Sequence, residues 1–289
     1  MLASDRDTSI HIAEGRVHAA LRPIIAFPPQ ERISMSQWVR YQADGHIGFG
    51  TLEGDTIAEH EGDLFASSWP TGKRLSLAAV KLLPPCVPGK MVALWNNFHA
   101  LAAKLKVPEP PEPLYLLKAN NSFLAPGETI RSPRTYGGKV VFEGELGIVI
   151  GKRVSGCSEE EAPRYIFGYT CVNDVTAAEI IQKDPTFPQW VRAKGYDTFG
   201  PFGPVIATDL DPYRLTVRTL LNGEERQNYP VSDMIFGPYR LVALISRDMT
   251  LEPGDVIACG TSVGVGSMKP GSTVEVAIEG IGTLTNRFE

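Results

Sequence analysis

Glu143 and Glu145 stand two residues apart inside Val140–Ile150, a run rich in β-forming residues, VVFEGELGIVI. Side chains two apart on a strand share a face, so this spacing predicts two carboxylates side by side. Like charges at that separation repel, and a hard divalent cation is the simplest agent that keeps both ionised at neutral pH. Asp174 follows the apolar strand Ile166–Val172 and precedes a segment, Val175–Lys183, expected to be helical. A carboxylate at that junction is well placed to complete a site. Three carboxylates with open positions suit Mg2+ or Mn2+ and a chelating ligand, and a chain with only 5 histidines offers little to zinc. The pattern has a plainer reading, because an ExE on an antiparallel strand commonly marks its solvated face. Phe142, Leu146, Ile148 and Ile150 argue the other way, since they make the strand apolar on both sides, where carboxylates need partners.

The elements that must position these residues are mostly short strands punctuated by Gly and Pro. Residues 1–34 form either an arm that packs on a neighbour or a disordered extension. From Trp38, WVRYQADGHIGFG alternates like a hairpin around an Asp44–Gly45 turn. Residues 35–84 read as a small β-rich domain ending in a short helix, Leu75–Leu83, and PPCVPG marks a linker into a larger domain over residues 85–289. Expected strands there include Met91–Leu94, Leu114–Lys118, Gly203–Ala207, Leu215–Leu221, Val256–Gly260, Thr273–Ile278 and Gly282–Phe288. Expected helices are Asn97–Leu105, Ser158–Tyr165, Thr176–Lys183 and Tyr239–Ser246. The fold class is therefore α+β, mostly β.

Bulk properties remove several classes of function. Apolar residues make up 43% and charged residues 21%, within the range of globular proteins. A net charge of −5 supplies no basic footprint for nucleic acid or an anionic membrane. No apolar run approaches the ~20 residues of a membrane span, and Met1–Arg16 lacks the apolar core of a secretory signal. The 4 cysteines are scattered without a CxxC, which predicts free thiols in a reducing cytoplasm.

Five ordered blocks carry a family resemblance: FEGELGIVIGK at 142–152, GYTCVNDVTA at 168–177, RAKGYDTFGPFGP at 192–204, LEPGDVIACGTSVGVG at 251–266 and the closing VEVAIEGIGTLTNRF. Over about Met91 to Glu289 the chain resembles the fumarylacetoacetate hydrolase superfamily, particularly its acylpyruvase and homoprotocatechuate-pathway isomerase/decarboxylase branches. The resemblance implies a mixed β-roll catalytic domain, usually dimeric, preceded by a variable N-terminal domain. It implies a divalent cation on Glu143, Glu145 and Asp174. It implies that Lys194 acts beside the metal and the substrate, and that Thr261, with the backbone of the turn at Gly260, binds a substrate carboxylate. A glycine-rich turn is also a plausible anion nest on physical grounds. Tyr196 is a substrate-contact candidate, or else it serves a turn ahead of Pro201. Arg131, Arg134 and Lys139 flank the ExE strand, and Arg134 is the candidate for a distal substrate carboxylate; a solvated loop charge is the alternative.

The implied substrates are 2-oxo acids, and the same metal site serves hydrolysis, decarboxylation and keto–enol isomerisation. Hydrolytic members pair a lid histidine with a glutamate three residues later to activate water. Here His99 in WNNFHALAAKL fits the histidine, but Ala102 occupies the glutamate position. Glu109 and Glu112 are close in sequence, yet Pro108, Pro110, Pro111 and Pro113 are expected to hold their stretch extended. Hydrolysis of an acylpyruvate is the leading expectation, with decarboxylation or isomerisation of a 2-oxo diacid behind it. A non-catalytic metal-binding scaffold is the reading from another class.

Overall fold

The computed structural model describes residues 35–289, and the arm or extension expected over residues 1–34 lies outside them. The chain begins as a meander of β1 (Gln37–Ala43), β2 (His46–Glu53), β3 (Thr56–Gly62) and β4 (Ser68–Ser76). Asp44 and Gly45 link the first two strands at φ 49° and 79°, the positive values that a tight hairpin turn requires. The helix expected over Leu75–Leu83 is a single 3-10 turn at Leu77–Ala79. Leu75 pairs with Ile57, and β5 (Lys81–Leu82) pairs with β1, so sheet register claims both ends of that segment.

Next come β6 (Met91–Trp95), α1 (His99–Leu105), β7 (Leu114–Lys118), β8 (Phe123–Leu124) and β9 (Thr129–Ile130). The middle of the chain supplies β10 (Val140–Phe142), β11 (Gly144–Ile150), β12 (Ile166–Asn173), β13 (Thr176–Ala177), α2 (Ala178–Ile181), α3 (Trp190–Lys194) and β14 (Gly200–Ala207). The chain closes with β15 (Thr216–Leu221), β16 (Glu224–Pro230), α4 (Pro238–Asp248), β17 (Val256–Ala258), β18 (Gly266–Ser267), β19 (Thr273–Ile278) and β20 (Gly282–Phe288).

A 12-stranded mixed sheet runs β4-β3-β2-β1-β14-β12-β11-β17-β6-β7, with β5 on β1 and β8 on β14. The opening meander joins the rest of this sheet through the β1–β14 pair. A 5-stranded sheet, β16-β15-β19-β20-β9, and a 3-stranded sheet, β13-β10-β18, complete the mostly β architecture. β11 is buried along its whole length. Leu146, Ile148 and Ile150 pack in a core with Leu241, Val242 and Ile245 of α4, while Val149 packs with Met91, Val256 and Ala258. Cover on both faces accounts for its unbroken apolar character.

Three further expectations are corrected. The continuous strand Val140–Ile150 breaks at Glu143, sending β10 into the 3-stranded sheet and β11 into the 12-stranded one. Glu143 gives its N–H to the side chain of Asn173 (Oδ1, 3.0 Å) instead of to a strand carbonyl. The helix expected over Thr176–Lys183 begins only at Ala178, because Thr176 and Ala177 pair with Val141 and Val140. At Ser158–Tyr165 the capping exchange forms between Ser158 and Glu161, but only a 3-10 turn, Ala162–Tyr165, follows before β12 begins.

Candidate metal centre

Two of the chain crossings between the 12-stranded and 3-stranded sheets carry the three carboxylates. Glu143 and Glu145 flank Gly144 where β10 passes into β11, and Asp174 lies where β12 passes into β13. The crossings are tied together, since Asp174 N donates to Glu143 O at 2.9 Å. One oxygen from each of Glu143, Glu145 and Asp174 lies within 4.8 Å of the others. Between the two glutamates there is no room for a side chain: a Cβ on Gly144 would lie 2.0 Å from Thr219 Oγ1.

Two ammonium groups are buried with the acids. Lys194, at the C-terminal end of α3, donates to Asp174 Oδ2 (2.5 Å), Thr176 Oγ1 (2.8 Å) and Glu143 Oε2 (3.0 Å). Lys118, at the end of β7, donates to Asp174 Oδ1 (2.6 Å) and to Lys194 O (2.7 Å). Burial alone would raise the Asp174 pKa, but the charges of Lys118 and Lys194 outweigh it and hold the carboxyl below its ordinary value. Burial works against the Lys194 ammonium too, and the charges of Asp174, Glu143 and Glu145 overcome it and raise its pKa. Lys118 shows the opposite balance, with burial dominant and its pKa lowered.

Glu145 is held differently. Its Oε2 accepts the Gly260 N–H at 2.9 Å, while its Oε1 is buried without a hydrogen-bond partner. Burial, reinforced by Asp174, pushes its pKa well above the ordinary value. An orphaned buried carboxylate oxygen beside two further carboxylates fits a divalent cation, and an all-oxygen donor set suits Mg2+ or Mn2+.

The turn at 260–262 lies behind Glu145. Gly260 has φ +90°, which strongly favours glycine. Thr261 Oγ1 donates to Gly144 O (3.0 Å) and accepts from Gln227 Nε2 (2.8 Å), so its hydroxyl proton serves the strand bend. Arg134 and Tyr196 line one cavity of about 520 Å3 together with Arg131, Asn121, Asp197 and Gly195, the residue after Lys194. Arg134 is exposed at that cavity, and the Tyr196 ring packs edge-on against Phe199 (5.4 Å).

His99 opens α1 and faces Glu109, with Nδ1 2.5 Å from Oε1. The proline-rich stretch is not carried away from His99 as expected. Lys106 ends α1 in the left-handed conformation (φ 56°), and Asn96 Nδ2 donates to Pro108 O (3.0 Å), which brings the chain back beside the helix. Glu109 thus reaches the histidine that Ala102 cannot serve. Asn97 roots this segment near the centre by donating to Cys259 O at 2.8 Å, next to Gly260. The Trp95 ring also packs at 5.0 Å on Trp190, the first residue of α3.

Lys118, the last residue of an expected strand, is a direct partner of Asp174. The sign was its phase, since it shares the inward side of β7 with Leu116. Thr176 and Gln227 were not singled out, and nothing local in QNYP announces a buried glutamine. The four cysteines are free and buried. Among the described residues no helix is long and apolar enough to cross a membrane.

Comparisons with known proteins follow the same residues. Residues 90–289 match the profile of the fumarylacetoacetate (FAA) hydrolase C-terminal family, and residues 37–85 match that of the Rv2993c-like N-terminal family. The Mycobacterium tuberculosis protein Rv2993c is 42% identical over 247 residues, covering 84% of this chain and 91% of that one. The crystal structure of a 2-hydroxyhepta-2,4-diene-1,7-dioate isomerase from Mycobacterium marinum aligns with TM-score 0.80 at 39% identity, covering 88% of this chain and 98% of that one. That of a maleylpyruvate hydrolase from Sphingobium sp. SYK-6 aligns with TM-score 0.73 at 27% identity, covering 87% and 98%.

Proposed function

The chain belongs to the fumarylacetoacetate hydrolase family, and from that premise we propose that it is a divalent-metal-dependent hydrolase. Its substrate class would be acylpyruvate-type 2,4-dioxo acids such as maleylpyruvate or fumarylpyruvate, cleaved at a C–C bond to release pyruvate in aromatic-compound catabolism. The observation that carries the hydrolytic reading is the His99–Glu109 pair. With Glu109 accepting the Nδ1 proton, Nε2 is left as the basic nitrogen, and a ring 49% exposed has access to water. Glu143, Glu145 and Asp174 would hold Mg2+ or Mn2+. When bound, the cation supplies Lewis acidity toward a chelating 2-oxo acid.

The chain's own residues do the rest. Lys194 spends its three N–H donors on Asp174, Thr176 and Glu143, and it meets a substrate oxygen by releasing Glu143, its longest contact. It then places positive charge where negative charge develops on the 2-oxo oxygen. Arg134 with Tyr196 receives a distal substrate carboxylate. His99 takes the proton of the attacking water, and Glu109 steadies the imidazolium that results.

A second reading, isomerisation or decarboxylation of a 2-oxo diacid, is favoured by the higher identity of the isomerase (39%) than of the hydrolase (27%). The deciding experiment incubates the protein and Mn2+ or Mg2+ with maleylpyruvate, fumarylpyruvate, oxaloacetate and a homoprotocatechuate-pathway diacid, scoring pyruvate, CO2 and enol absorbance separately. Pyruvate without CO2 supports hydrolysis; CO2 or enol loss alone supports the second reading. We also propose a cytoplasmic homodimer. β7 supports the dimer, as the end strand of the large sheet with Leu114 and Leu117 41% and 42% exposed. A monomer by light scattering at micromolar concentration would refute it.

A further inference from the structure

We infer that Gln227 is a positioning residue of the metal centre, locking the bend between Glu143 and Glu145 to the 260–262 turn. The inference rests on the reading that the three carboxylates hold a divalent cation. β16 is an outer strand of the 5-stranded sheet, and among Glu224–Pro230 only Gln227 and Tyr229 are buried. Its register passes from Thr219↔Gln227 to Leu220↔Glu225 and leaves Arg226 unpaired. Bulges of this kind re-aim side chains and recur beside functional sites. This one lies against the glycine-rich turn, where a Cβ on Gly264 would meet the Arg226 carbonyl oxygen at 2.1 Å.

Gln227 is 1% exposed, and both ends of its amide are engaged. Its Oε1 accepts from Gly144 N at 3.0 Å, and its Nε2 donates to Thr261 Oγ1 at 2.8 Å and to Ser262 O at 3.3 Å. Thr261 Oγ1 and the Tyr229 hydroxyl both donate to Gly144 O. Gly144 is therefore gripped at its N–H and at its C=O, by groups from β16 and from the turn. It is also the residue between two of the three carboxylates, so fixing it fixes both. A side chain here must accept from Gly144 and donate to Thr261 at the same time. A carboxylate cannot donate, an ammonium cannot accept, and asparagine is one methylene shorter. Ligand sets need placement within about 0.5 Å, and this clamp supplies it from outside the acidic cluster.

The test is a Mn2+ titration followed by electron paramagnetic resonance on the full chain, for wild type, Gln227→Met, Thr261→Val and the double variant. Metal-free urea midpoints are measured alongside. Wild type is expected to bind Mn2+. Each single variant should bind at least 10-fold more weakly, and the double variant no more weakly than Gln227→Met. A purely structural glutamine would lower the urea midpoint and leave the Kd of the folded protein unchanged. A wild-type Kd in Gln227→Met, or additive losses in the double variant, overturns the inference. If Gln227→Met does not fold, Thr261→Val decides, because it cuts the clamp while leaving Gly144 N bonded; an unchanged Kd there overturns the inference equally. Absence of Mn2+ binding by wild type would instead overturn the metal reading itself, so the two failures are distinct.

Discussion

Glu145 and Asp174 lie in one cluster and answer to opposite forces. Glu145 Oε1 is buried and unpartnered, and its raised pKa reflects burial followed by repulsion from Asp174. Glu145→Gln keeps the shape and removes the charge. It should raise the metal-free Tm by a few degrees and abolish Mn2+ binding, as read by calorimetry; a lowered Tm would contradict this account. Asp174 instead neutralises Lys118 and Lys194, both buried. Asp174→Ala should cost about 3–5 kcal/mol in chemical denaturation, because it leaves two buried ammonium groups short of an anion. The His99–Glu109 pair yields a kinetic prediction. Glu109→Gln should slow hydrolysis by ~10²-fold with Mn2+ affinity unchanged, and Glu112→Gln should do nothing measurable. Equal rates in the two variants would remove Glu109 from the reaction.

At the level of elements, legibility followed how local the cause was. Leu114–Lys118, Thr273–Ile278 and Gly282–Phe288 were readable to the residue, because their alternation and flanking turns are written in adjacent positions. The triad was readable because carboxylates two apart in an apolar strand are costly without a purpose. The break at Glu143 was not, since it depends on Asn173, 30 residues away. Nor was the reach of Glu109 to His99, which depends on a left-handed Lys106 and on Asn96. Thr176 and Ala177 look helical in sequence because the strand that captures them is remote. The 260–262 turn provides a prediction at this scale. At φ +90°, with a new Cβ 3.3 Å from that of Asn97, Gly260→Ala should cost about 1–3 kcal/mol in urea denaturation. It should also weaken Mn2+ binding through the N–H that holds Glu145. A variant as stable as wild type would show that the turn relaxes freely.

For the whole molecule, burial of thiols sets an alkaline limit. Cys86 and Cys171 are pushed by burial from 9.0 up to about 12. A folded-state pKa above the unfolded value means that the stability these groups contribute is complete below pH 9. It is then lost as pH climbs toward 12. Urea midpoints should fall across that window, and alkylating agents at pH 8 should modify none of the four thiols until the chain unfolds. A midpoint flat to pH 11 would rule this out. One last consequence comes from the two sheet crossings at 143–145 and 174. Since those crossings carry Glu143, Glu145 and Asp174, an ion held by all three would staple the small β13-β10-β18 sheet to the large one. Stripping divalent ions with a chelator should then speed amide hydrogen exchange in β10, β13 and β18 while β1 to β4 keep their protection, so the same ion would act as a joint in the architecture.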